Sequence, residues 1–155
     1  MENTGDFVNG NILDISVEDL KESYLDKLNY DYTLNWFDSE FYNYTGFDVF
    51  SKPFDKEKGF SIYEHRDIKI LVIKLEKLNV CYATAMKAFL GLKVKLEVNV
   101  NQSNQKPIYK VYKELRQVVK FSQTELDEVY SHKYVTHFYS DEEKRKFILK
   151  DLKTK

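Results

Sequence analysis

The sequence predicts an α+β protein, a mostly antiparallel sheet of about five strands with helices packed on it. Three observations carry that prediction. Leu92, Val94, Leu96, Val98 and Val100 alternate with polar residues at period two, the spacing of a half-buried strand. Ile68, Ile70, Leu71, Val72, Ile73 and Leu75 form the most apolar run, as expected of a central strand covered on both faces. Ser122-Gln123-Thr124-Glu125 and Ser140-Asp141-Glu142-Glu143 have capping-box form and mark helix starts.

Taken in order, residues 1–15 are polar with a few apolar anchors and read as a mobile arm or a short strand. Ser16 is a candidate N-cap, with Glu18 and Asp19 in the first turn, where acids favour a helix. Leu20, Tyr24, Leu25 and Leu28 continue at helical spacing, giving a helix over 17–29. From Tyr30 the period changes: Tyr30, Tyr32, Leu34 and Trp36 alternate with polar residues, a strand pattern. One or two helical turns follow over 38–44, broken at Gly46. Ser51-Lys52-Pro53 and Lys58-Gly59 are turn signals, and strands are expected over 60–65 and 68–77. The Ala-rich stretch 79–90 reads as a helix ended by Gly91. Residues 108–121 carry both helical and strand features. They are assigned as a return strand pairing with 92–100 across a polar loop. Helices follow near 123–132 and 141–153, with an edge strand over 134–139 between them.

At 155 residues one domain, 1–155, is expected. A chain of this mass leaves roughly 8,000 Å² exposed and buries about two-thirds of its unfolded surface, enough for a core without crosslinks. Cys81 is the single cysteine, so no internal disulfide forms, as suits a reducing compartment. The first residues lack the basic start and apolar run of a signal peptide, and no apolar stretch reaches membrane-spanning length. A cytoplasmic, monomeric or dimeric protein is the expectation.

Charge is unevenly distributed. Residues 1–55 hold twelve acids against three lysines, a net of −9; the remaining thirteen acids against twenty-one basic residues give +8, summing to −1. Ten of the twenty-five residues over 30–54 are aromatic. Rings of this kind anchor interfaces, and carboxylates among them would steer a basic partner and fix its register. Asp31, Trp36, Asp38, Glu40, Tyr42, Tyr44 and Asp48 are the candidate contact residues for such a partner. The competing reading makes the rings core and the acids their solvated edge.

The basic half offers a second candidate. If 92–100 and 108–121 pair, Lys93, Lys95, Lys110, Lys113 and Arg116 share one region, with Tyr109 and Tyr112 available to stack on bases. A pI near 6.3 speaks against a dedicated nucleic-acid binder. Asp55 with Asp67-Ile68-Lys69 resembles the metal-binding pattern of the PD-(D/E)xK nucleases, over about fifteen residues. His132 and His137 are five apart, a poor spacing for a shared metal on helix or strand, and no metal or cofactor is expected. No phosphate-binding glycine motif and no nucleophile elbow is present.

In its size, charge split, lack of catalytic motifs and AT-rich composition the whole chain resembles small phage or mobile-element proteins of the anti-CRISPR kind. That resemblance implies a non-enzymatic inhibitor. It would dock its acidic aromatic surface on a basic nucleic-acid-handling host protein, such as a Cas9 nuclease, blocking DNA access or nuclease-domain movement.

Overall fold

The computed structural model describes residues 16–27, 30–96 and 109–152. The expected arm at 1–15, the second half of the expected strand at 97–100 and the polar loop at 101–107 lie outside them. Among the described residues the architecture is α+β with a helical majority. The sheet has two strands rather than five.

Helix α1 spans Val17–Lys27, with the Ser16 Oγ accepting the Asp19 N–H at 3.1 Å as its cap. The segment expected as a strand from Tyr30 is helical. Helix α2 (Asp31–Trp36) runs into a π turn (Phe37–Phe41) and then α3 (Tyr42–Thr45). Leu34, Phe37 and Phe41 turn inward while Tyr32 is 63% exposed, so the buried stripe follows helical spacing. The period-two alternation ends with Trp36, whereas the burial pattern needs Phe37 and Phe41 as well. Gly46 ends α3 at φ 68°, a left-handed conformation suited to glycine.

Strands β1 (Phe60–His65) and β2 (Ile68–Ile73) form one antiparallel hairpin across a two-residue turn, in the register Phe60↔Ile73 to His65↔Ile68. β2 is thus not central, yet its apolar run is explained, because both hairpin faces are covered. Phe60, Ile62, Leu71 and Ile73 pack against Cys81 and Ala85 of α4 (Leu78–Leu90). Tyr63, Ile70 and Val72 face Phe47, Val49, Phe54 and Phe138. An isolated hairpin is marginal in water, so these two layers are what stabilise it. Lys69 Nζ donates to the Phe89 carbonyl at 3.0 Å, placing a cation at the C-terminal turn of α4.

The expected return strand at 108–121 is instead helix α5 (Tyr109–Val118), and residues 92–96 are not strand. Val111, Leu115 and Val118 are half-buried at the i, i+4, i+7 positions, and α5 lies against α1. Helical spacing of the apolar residues outweighs the β-branched content. Helix α6 (Gln123–Ser131) opens on a complete Ser122–Glu125 capping box. Helix α8 (Asp141–Leu152) opens on the Ser140–Glu143 counterpart. Between them the expected edge strand is helix α7 (Lys133–Phe138), which turns Val135 and Phe138 into the core. The Phe138 ring meets Phe37, Phe50, Phe54 and Tyr134, each centroid pair 5.0–6.2 Å apart.

Among the described residues, one charged group is enclosed. The Lys74 side chain is 3% exposed, and its Nζ meets Glu143 Oε1 at 2.5 Å. It also lies 4.7 Å over the Tyr139 ring, whose hydroxyl donates to Glu76 Oε1 at 3.0 Å. The end of β2 is thereby fastened to the start of α8. Among the described residues no helix is long and apolar enough to cross a membrane.

Candidate functional site

The acidic aromatic segment does not form one continuous free surface. Asp31 sits in the first turn of α2, and Trp36 packs edge-on to Phe37 at 5.1 Å. Asp38, in the π turn, forms an ion pair with Lys133 of α7 at 2.6 Å. Asp48 Oδ1 accepts the Phe50 N–H at 2.9 Å and caps the short 3-10 turn Val49–Ser51. The Asp38 and Asp48 carboxylates are therefore used inside the fold. Glu40, Tyr42 and Tyr44 face solvent, Tyr44 at 93% exposure.

Sequence reasoning missed the polar side of α7. Lys133 and His137, one turn apart, both face the Phe50 ring, at 4.9 Å and 5.2 Å. Burial holds the His137 imidazole below its ordinary value. The charge of Lys56 adds to this effect and that of Asp48 opposes it. Among the described residues, Asp38 Oδ2 and His137 Nε2 are buried with no hydrogen-bond partner. Lys56 Nζ donates to the Thr136 carbonyl at 2.7 Å, tying α7 to the loop after Pro53. The signal available in the sequence was the i, i+4 spacing of Lys133 and His137, hidden by the strand assignment.

The nuclease-like pattern is dispersed. Asp55 serves its own turn, accepting the Lys58 N–H at 2.9 Å and pairing with the Lys58 ammonium at 3.0 Å. Lys69 reaches α4, as described above. His132 Nδ1 accepts the Tyr134 N–H at 3.2 Å as the cap of α7, away from a metal role. Cys81 is a buried free thiol.

The basic candidates fare differently. Lys93 and Lys95 are exposed in the segment after α4. Helix formation gathers the α5 residues instead. Tyr109, Tyr112, Lys113 and Arg116 fall at i, i+3, i+4 and i+7, one exposed face, with Lys110 beside them. With Gln117 they line a shallow groove of about 180 Å³. The Arg116 guanidinium lies 5.9 Å over the Tyr112 ring, a cation–π contact between two lining residues of the groove. Flat apolar rings beside fixed donors can cover a ligand's ring face and pair with its anionic groups.

A family model, NKWYS, described as "Putative capsular polysaccharide synthesis protein", matches residues 13–140. The match spans most of the chain, and the chain belongs to that family. No curated protein and no solved structure matches it.

Proposed function

We propose that this NKWYS-family chain takes part in capsular polysaccharide synthesis as a non-catalytic binding component, with the α5 face holding an anionic glycan. The supporting observation is the alternation of rings and cations along one side of α5: Tyr109, Tyr112, Lys113 and Arg116 around one groove. Rings suit the apolar face of a sugar, and a guanidinium suits its carboxylate. The proposal locates this work in the cytoplasm, with the buried, unpaired Cys81 as support.

Calorimetric titration tests the reading with three probes. Hyaluronan supplies a carboxylated polysaccharide, dextran a neutral one, and single-stranded DNA the anionic polymer of the nucleic-acid alternative. Saturable binding of hyaluronan, absent for dextran and weakened about tenfold or more by Tyr112→Ala with Arg116→Gln, is expected. Tighter binding of DNA than of hyaluronan at matched salt would favour the nucleic-acid reading instead.

A second reading keeps the inhibitor function. It rests on Glu40, Tyr42 and Tyr44, each exposed on the π turn and α3. π turns recur at functional positions in helices. Asp38 and Asp48 drop out of the site for this reading, because both already have internal partners. Retention of Cas9 on the immobilised chain, lost with Glu40→Lys plus Tyr44→Ala, would support it.

A further inference from the structure

A second cleft lies between α6 and α8, about 430 Å³ in volume and open to solvent. Asp141, Lys144, Arg145 and Ile148 of its lining fall beyond residues 13–140, so family membership does not imply it. Its charges are unequally committed. Lys144 pairs with Asp141 at 2.7 Å, and Asp127 Oδ1 accepts the Gln123 amide at 2.7 Å. Arg145 is exposed and, among the described residues, forms no ion pair. Its charge reaches Asp141, whose carboxyl is held below its ordinary value chiefly by the hydrogen bond from Lys144.

One wall of the cleft is aromatic. Tyr130 stacks on Phe147 with centroids 6.5 Å apart and planes 23° apart, so the Tyr130 ring is braced from behind. Ser131 Oγ donates to the Glu128 carbonyl at 3.1 Å and keeps acceptor capacity on the cleft side. The cleft thus offers a free guanidinium fork, carboxylate and hydroxyl acceptors, and a flat ring. A guanidinium fork recognises a carboxylate or phosphate in two-pronged fashion. Carboxylates accept from hydroxyl groups, and a ring covers an apolar sugar face. The volume is that of a small-molecule site.

The geometry points to a binding site for a single polyhydroxylated sugar bearing one anionic group, with Arg145 holding the anion and Asp127 accepting from hydroxyls beside Tyr130. Such a site would recognise one monomer or chain end. It shares no lining residue with the α5 groove, which would follow a polymer.

Amide chemical-shift titration with sodium glucuronate, glucose 1-phosphate and glucose tests the site. Shifts that saturate in the millimolar range and centre on Tyr130, Ser131 and Arg145 are expected for one or both charged sugars, with none for glucose. If only one charged sugar binds, the ligand class narrows to carboxylate or phosphate. Arg145→Gln should weaken binding roughly 10- to 100-fold. Lys146→Gln, at an exposed residue paired with Glu142, should leave it unchanged. Three results would overturn the site: no saturation with either charged sugar, an equal response to glucose, or equal loss in the two variants. The α5 double variant should bind these monomers like the parent, so failure here is distinct from failure of the α5 reading.

Discussion

Replacing Glu143 with Gln should destabilise the protein by about 3 kcal/mol, and the reason lies in what the change leaves behind. Lys74 is enclosed, with 3% of its side chain exposed, and Glu143 is its ion-pair partner at 2.5 Å. Gln keeps the shape and can still accept one hydrogen bond, but the ammonium loses its counter-charge. The face of Tyr139, 4.7 Å away, replaces little of that interaction. Breaking a buried pair from one side costs about 3–5 kcal/mol, and the retained amide contact argues for the low end. Lys74→Met is the milder change, because Glu143 is 23% exposed and keeps its hydrogen bonds from Ser140. A cost of about 1–2 kcal/mol is expected there. Once Lys74 is Met, adding Glu143→Gln should cost little more, so the double-mutant cycle should show favourable coupling of about 2 kcal/mol. Urea unfolding followed by far-UV circular dichroism measures all four species. The expected fall in melting temperature for Glu143→Gln is about 6–12 °C. Coupling near zero, with both single variants equally mild, would refute the claim that this pair fastens β2 to α8.

Acid sensitivity offers an independent check on the same pair. Burial alone would raise the Glu143 carboxyl, but hydrogen bonds from Lys74 and Ser140, aided by the Lys74 charge, outweigh it and hold the carboxyl below 4.5. A depressed carboxyl contributes stability that is present above 4.5 and lost as pH falls through the folded value. Urea midpoints measured below pH 4.5 should therefore drop less steeply in Lys74→Met than in the parent. For His137 the ordinary value is 6.5, and burial and Lys56 lower it in the fold. The unfolded chain then takes up a proton more readily, so stability declines as pH falls from 6.5 through the folded value. His137→Asn should flatten that part of the pH profile; an unchanged slope between pH 7.5 and 5.5 would contradict it. Gly59→Ala should cost at least about 2 kcal/mol in urea unfolding. Gly59 has φ 76°, and an added Cβ would stand 2.7 Å from Lys77 Cβ. A near-neutral Gly59→Ala would contradict the close approach of the two turns.

The parts of the fold written in local chemistry were legible in the sequence. Ser16, the Ser122–Glu125 box, the Ser140–Glu143 box, and the terminators Gly46 and Gly91 each act where their residue types predicted. The hairpin was legible because β2 is apolar on both faces, although α4 on one face and the 47–54 segment with Phe138 of α7 on the other, not flanking strands, cover it. What failed were the strand assignments at 30–36, 92–96, 108–121 and 134–139. At 30–36 the alternation stops short of Phe37 and Phe41, which complete the apolar stripe; at 108–121 the helical spacing of Val111, Leu115 and Val118 stood beside a β-branched content that suits a strand, and the helical spacing prevails. The π turn adds a residue to its helical turn and hides the stripe further. For the site, individual residues were found but not their grouping. Lys113 and Arg116 were expected beside Tyr109 and Tyr112 on a hairpin face shared with Lys93 and Lys95; the helix keeps the tyrosines with them, while Lys93 and Lys95 lie in the segment after α4. Asp38 was expected free, but its partner Lys133 lies ninety-five residues away, a pairing that only tertiary structure fixes.

The most direct test of the account is the amount of capsule made by cells whose chromosomal copy carries Tyr112→Ala and Arg116→Gln. Capsular polysaccharide per cell is measured beside the protein's own abundance and circular dichroism. Less capsule at unchanged protein level and unchanged fold is the predicted result. Parental capsule yield from cells holding the folded double variant would contradict it.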